Sequence, residues 1–300
     1  PAQRRTLLFV YVLAFFGFGV KAALFPCHGW LPDATAAPMP VTALLHAVAV
    51  VKSGAFAVMR LTYYSFGTAL LRGSFAQYIV MGAAMATVVY GSTMAVREVH
   101  WKRRLAYSTI SNLSYILLGT AMMSPLGLIA ALSHMVFHAF MKICSFFCAG
   151  AVMHQSGKTY VHELDGMAFK MPVTFACLTI ASISLAGIPP FAGFISKWNI
   201  AQSAFDCGRF LNQAGKGGYW LPYAGACVLL YSALMTAVYM FTVLVRAYVP
   251  KQGTITGAEV TDPNWMMLVP LVIFAGVIIC FGFHPVPLMK VLRAIGGKAG

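Results

Sequence analysis

Four lysines, Lys21, Lys52, Lys142 and Lys197, lie inside long apolar stretches of a chain in which only 9% of residues are charged. An ionisable side chain at membrane depth is costly, and by default it marks a path for an ion or a proton. Two histidines share one of these stretches. In ALSHMVFHAFMKICSFFCAG, His134, His138 and Lys142 stand at i, i+4 and i+8, which aligns them on one helix face over two turns. Imidazole titrates near neutral pH and can pass a proton between its two nitrogens. A lysine in low dielectric can gain and lose its proton at working pH. Alternating the two along a face makes a proton relay. In PVTALLHAVAVVKSGAFAVMR, Lys52 is mid-helix and His46 lies a turn and a half earlier, facing another direction, while Arg60 is near the helix end and snorkels to the interface. His46 and Arg60 are secondary candidates.

The acids sharpen this reading. All seven (Asp33, Glu98, Glu163, Asp165, Asp206, Glu259 and Asp262) fall in loops or at helix ends. The four lysines therefore have no carboxylate within their own spans. Either some are neutral, or their counter-charges come from outside these 300 residues. An alternative of another class uses His134 and His138 to bind haem or a metal; the lysine one turn on and the lack of an acidic or cysteine ligand argue against it. Seven cysteines lie mostly within spans and form no CxxC pair, so they read as small packing residues. No catalytic residue, metal site or cofactor is assigned.

Elements that place such residues in lipid must be helices. With 60% hydrophobic residues, the chain reads as an all-α polytopic membrane protein, and continuous apolar runs exclude a β-barrel. A helix needs about 20 apolar residues to span, and eight spans can be marked near 7–30, 40–66, 75–96, 104–123, 125–153, 171–205, 219–249 and 265–284. The loops leave no room for a soluble domain, so residues 1–300 read as a single transmembrane domain. The chain opens at Pro1 without a signal peptide, and Arg4 and Arg5 lead straight into a span, as if cut from something longer. The net charge of +14 divides among loops, helix ends and lipid, and does not point to nucleic acid. Counting alternate loops gives Arg97, Lys102, Arg103, Arg104, Lys158, Lys170, Arg246 and Lys251 on one side, against Arg4, Arg5, Arg72, Arg209, Lys216, Lys290, Arg293 and Lys298 on the other. The tight cluster REVHWKRR favours the first side as cytoplasmic.

Two spans are interrupted. FPCHGWLPDATAAPMP, with Pro26, Pro32, Pro38 and Pro40, follows Lys21; LAGIPPFAGFISKW, with Gly187, Pro189, Pro190 and Gly193, leads to Lys197. Proline removes a backbone donor and frees carbonyls, and such breaks survive in lipid only when buried in protein or lining a wet cavity. Paired broken helices point to a translocation site.

These motifs together resemble the antiporter-like membrane subunits of respiratory complex I and their relatives in Mrp-type cation/proton antiporters and membrane-bound hydrogenases. Lys21…FPCHGWLPDA…LLHAVAVVK is similar to the family's first broken helix and the helix after it, KRRLAYSTISNLSY to its basic loop and following span, SHMVFHAFMKICSFFCAG to its central His/Lys helix, and LAGIPPFAGFISKW to its second broken helix. The resemblance implies a fold of about fourteen helices with two inverted repeats, of which this chain covers the last eight. It implies that Lys21 serves a first half-channel, Lys52 links it to the central axis, His134, His138 and Lys142 form the central and second relay, and Lys197 stands near the exit. The family's glutamate, which pairs with the lysine at Lys21, has no counterpart here. The resemblance further implies proton or sodium movement without a bound cofactor, beside homologous and small membrane subunits in a prokaryotic cytoplasmic membrane. The chain would be a redox-inactive subunit of a quinone oxidoreductase or hydrogenase complex, or one part of an antiporter without a redox partner.

Overall fold

The structure is a computed structural model describing residues 2–250 and 260–297. Lys251, Glu259 and Lys298, which enter the charge counts above, lie outside the described residues. The described residues form fourteen α-helices and no strand. The chain is a multi-pass membrane protein. Helices α1 (Ala2–Lys21), α6 (Phe75–Arg97), α8 (Pro125–Ser156), α12 (Trp220–Tyr248) and α13 (Trp265–Phe283), with the continuous stretch Met39–Phe66, make six spans long and apolar enough to cross alone.

Two further helical passages among the described residues are α7 (Trp101–Ala121) and the pair α10 (Pro172–Ala186) and α11 (Ala192–Gln213). Every residue of α7 from Arg104 to Ala121 is buried. That burial explains how a helix bearing Ser108, Thr109, Ser111, Asn112 and Ser114 can cross: other helices, not lipid, surround it. Arg104, counted above among the loop cations, is likewise drawn inward. Its guanidinium donates to the carbonyls of Glu98 at 2.8 Å, Tyr239 at 3.1 Å and Val96 at 3.4 Å.

Short elements complete the path. Helix α2 (Trp30–Asp33) lies in the first break, α5 (Thr68–Leu71) and α9 (Met167–Lys170) lie in loops, and α14 (Val286–Gly296) packs against α8. Loops on one side are knitted together. Trp101 N donates to Thr159 O at 3.0 Å and Val161 N to Val99 O at 3.1 Å, while Glu163 accepts from the backbone of Thr159 and Tyr160. Those amides hold the Glu163 carboxyl below its ordinary value. On the same side Asp262 caps α10 from 88 positions away, accepting from Val173 N, Thr174 N and the Thr174 hydroxyl. Helix N-termini leave amides unpaired, so this cap anchors the outer end of α10.

The stretch Met39–Phe66 contains an interruption that the sequence does not announce. Helix α3 (Met39–Ala47) and α4 (Val50–Arg60) meet at Val48 and Ala49, whose amides both reach back to Leu44 O. The helix resumes at Val50, two residues before Lys52. It then widens into a π-type turn over Leu61–Phe66. The last broken span also runs longer than the 171–205 read from sequence, since α11 continues to Gln213.

Candidate functional site

At the second break, α10 ends at Ala186 with Gly187 in the left-handed region (φ 86°), and α11 begins at Ala192. The Gly187 amide bonds back to Ile183 and Ser184, which leaves the carbonyls of Leu185 and Ala186 exposed at the negative end of the α10 dipole. Lys197, on the second turn of α11, fills that place. Its Nζ donates to Leu185 O at 2.7 Å and Ala186 O at 3.0 Å and lies 5.4 Å from the centre of the Tyr115 ring. Gly193 permits this fold-back, because a Cβ there would collide with the carbonyl of Ser184.

Lys142, on α8, is fully buried. Its Nζ donates to Leu105 O at 3.0 Å and to Ser108 Oγ at 2.7 Å, both on α7. One and two turns back on α8, His138 and His134 stack with ring centres 5.7 Å apart. His134 Nδ1 meets Ser196 Oγ at 2.8 Å, and its ring packs edge-on against Tyr115 at 5.3 Å. His134 Nε2 and both nitrogens of His138 are buried without a protein partner. His138 lies within electrostatic reach of Lys52, Lys142 and Lys197 together.

Lys52 is also buried, and its Nζ donates to Met135 O at 2.5 Å. It borders a side groove between α4 and α8 that Phe56, Val136 and Phe140 help to line. His46 is buried against Phe146 (ring centres 5.1 Å apart) and has no partner at either nitrogen. The structure thus brings Lys52, His46, His134, His138, Lys142 and Lys197 into one interior region.

Lys21 departs from the expectation of a lysine enclosed like the others. It is the last residue of α1, and its side chain is exposed. The break behind it is well ordered nonetheless: Trp30 Nε1 donates to Val20 O at 2.9 Å, and Ala23 takes a left-handed backbone (φ 58°) that alanine adopts only at a cost. Pro32 is buried and Pro26 exposed within it; Pro189 and Pro190 are exposed in the second break. Arg60 is exposed at the end of α4.

A set of hydroxyls completes the interior. Ser108 Oγ and Tyr239 OH are 2.6 Å apart; Tyr239 OH donates to Thr236 Oγ1 at 3.2 Å; Tyr115 OH donates to Ser232 Oγ at 2.6 Å. Sequence reasoning passed over all five. Their signal is spacing: Ser232, Thr236 and Tyr239 recur at i, i+4 and i+7, and Ser108 and Tyr115 at i and i+7, each set on one helix face.

None of the three ion pairs among the described residues (Arg103–Glu98, Arg209–Asp206 and Arg246–Asp165) involves an interior lysine. Nor does any group of three His, Cys, Asp or Glu stand together there, so a metal on His134 and His138 would lack a third protein ligand. Between the first break and the loop side lies a cavity of about 910 Å³, lined in part by Asp33, His100, Lys102, Arg103 and His154.

A family model described as "NADH:quinone oxidoreductase/Mrp antiporter, TM" matches residues 2–214. The chain belongs to this family. It is 38% identical over 243 residues to NADH-quinone oxidoreductase subunit N of Desulforudis audaxviator, covering 81% of this chain and 45% of that protein. To a Na(+)/H(+) antiporter subunit of Alkalihalophilus pseudofirmus it is 32% identical over 291 residues, covering 91% of this chain and 35% of the relative. The chain therefore spans less than half the length of these curated relatives. Its structure superposes on a chain of the Mrp complex from Dietzia sp. with a TM-score of 0.83 at 23% identity, over 96% of this chain and 59% of that one. The antiporter-like fold of this NADH:quinone oxidoreductase/Mrp family member is thus established, with six spans among the described residues and two broken helices at the positions marked by proline and glycine.

Proposed function

We propose that this chain moves protons across a membrane as an antiporter-like subunit of a larger complex, through Lys52, His134, His138, Lys142 and Lys197. The observation that carries this reading is the ligand set of the interior lysines: Lys142 and Lys197 are each held by neutral oxygens with no carboxylate. A lysine so held can take and release its proton as neighbouring charges change, because no fixed partner locks it in one state. The ammonium groups also occupy the places where a sodium ion would need oxygen ligands, which favours the proton as the ion moved. Lys21, exposed on α1, is the lysine whose partner must come from outside the chain. The cavity beside His100 and Lys102 provides water access from the loop side, which we assign to the cytoplasm of a prokaryotic cell.

The likeness to the quinone oxidoreductase subunit supports coupling to a redox partner. The likeness to the Na(+)/H(+) antiporter subunit supports a second reading, an antiporter complex without such a partner. Co-purification separates them: quinone-reductase or hydrogenase subunits support the first, antiporter subunits alone the second. The translocation reading is tested with the whole complex in sealed vesicles carrying Lys197→Ala. Proton transport should fall to about a tenth of wild type or less, as removing a group that acts in each turnover does; wild-type transport with normal assembly refutes the reading.

A further inference from the structure

Between Lys142 and the Lys197 region run two parallel tracks, and they differ in connection. On α8 the imidazoles of His134 and His138 align, but His134 Nε2 and both nitrogens of His138 meet no protein partner. On α7 and α12 the hydroxyls are bonded in sequence. Lys142 Nζ donates to Ser108 Oγ, Ser108 Oγ lies 2.6 Å from Tyr239 OH, and Tyr239 OH donates to Thr236 Oγ1. Since Ser108 accepts from Lys142, its own proton is free to point at Tyr239, so all three bonds can run in one direction, away from Lys142. Thr236 now donates to Ser232 O at 2.7 Å, and its side chain also lies close to the Tyr115 hydroxyl. The Tyr115 ring in turn faces Lys197 Nζ.

We infer that the proton leaves Lys142 through the hydroxyls of Ser108, Tyr239, Thr236 and Tyr115, with Tyr239 and Thr236 as proton-carrying links of this route. The inference rests on the translocation reading above. The step balances without any other reactant. The Lys142 ammonium gives up one N–H, each hydroxyl accepts a proton on oxygen while handing on its own, and the uncharged amine of Lys197 gains one N–H. Three movements complete the transfer: a turn of Thr236 about χ1 from Ser232 O toward Tyr115, a turn of the Tyr115 O–H away from Ser232 Oγ, and a swing of Lys197 off its carbonyls toward the Tyr115 hydroxyl. None breaks the fold: the first two turn hydroxyls in place, and Leu185 O and Ala186 O terminate a helix that Asp262 anchors at its other end.

Buried side chains that keep their shape but lose the hydroxyl separate this role from packing. The experiment measures proton transport by the whole complex in sealed vesicles with Tyr239→Phe, Thr236→Val and Thr236→Ser, with Lys142→Ala alongside. Tyr239→Phe and Thr236→Val should each slow transport at least fivefold with assembly unchanged. Thr236→Ser, which keeps the hydroxyl, should stay within twofold of wild type. Wild-type rates for both Tyr239→Phe and Thr236→Val, while Lys142→Ala is inactive, would overturn the hydroxyl route and leave the translocation reading standing. Equal slowing by Thr236→Ser and Thr236→Val would also overturn it, because shape rather than the hydroxyl would then matter. Wild-type transport by Lys142→Ala would instead remove the translocation reading itself.

Discussion

The two broken helices place chemically similar lysines in opposite circumstances. At the first, Lys21 ends α1 with its side chain exposed, and Lys52 nearby has one carbonyl partner at the edge of a groove. At the second, Lys197 takes both freed carbonyls of α10, and Lys142 is enclosed by α7 with a carbonyl and a hydroxyl. The freed carbonyls of a broken helix therefore hold a lysine amine only where a following segment turns back to meet them. At the second break α11 does so within the chain; at the first, the described residues leave the lysine open. The second break is also tethered, since Asp262 fixes the start of α10.

The glycines that let helices approach at the two breaks offer the largest test of this contrast. A Cβ at Gly193 would strike the Ser184 carbonyl, whereas one at Gly54 would press on the backbone of Lys21 and Ala22, next to an exposed side chain. Overpacking a tight core costs roughly 1–3 kcal/mol and at times more. Gly193→Ala should sit at or above the top of that range, with loss of assembled complex on a native gel, and Gly54→Ala should be milder. The reverse order would show that the first break is the tighter one. A smaller effect should follow from Asp262→Ala, which removes the long-range cap from the start of α10. The expected loss is about 0.5–2 kcal/mol, the usual worth of such a cap, read as earlier thermal unfolding of the purified complex. No change would mean that water replaces the carboxylate.

Much of this was legible in the chain itself, for definite physical reasons. Apolar runs of span length locate the crossings because lipid offers the backbone no partners. Proline and glycine mark both breaks, since they are the residues that stop a helix. The i, i+4, i+8 spacing places His134, His138 and Lys142 on one face. What stayed hidden depends on tertiary contact. The interruption at Val48 and Ala49 occurs in a run of alanine and valine with no helix-breaking residue. The inward turn of Arg104 depends on the carbonyl of Tyr239, 135 positions away. The hydroxyls of α7 and α12 looked like ordinary polar residues until the two helices were brought side by side. Lys21 read as equivalent to the other lysines because sequence places it within a span but not on a side.

The central claim is that protons pass through the enclosed lysines of the second half. Its most direct test is proton transport per turnover of the driving reaction, measured in sealed vesicles bearing the whole complex with Lys142→Ala. The account predicts transport below about a tenth of wild type at normal assembly, as for loss of a group that acts in every cycle. Transport at the wild-type ratio would contradict it.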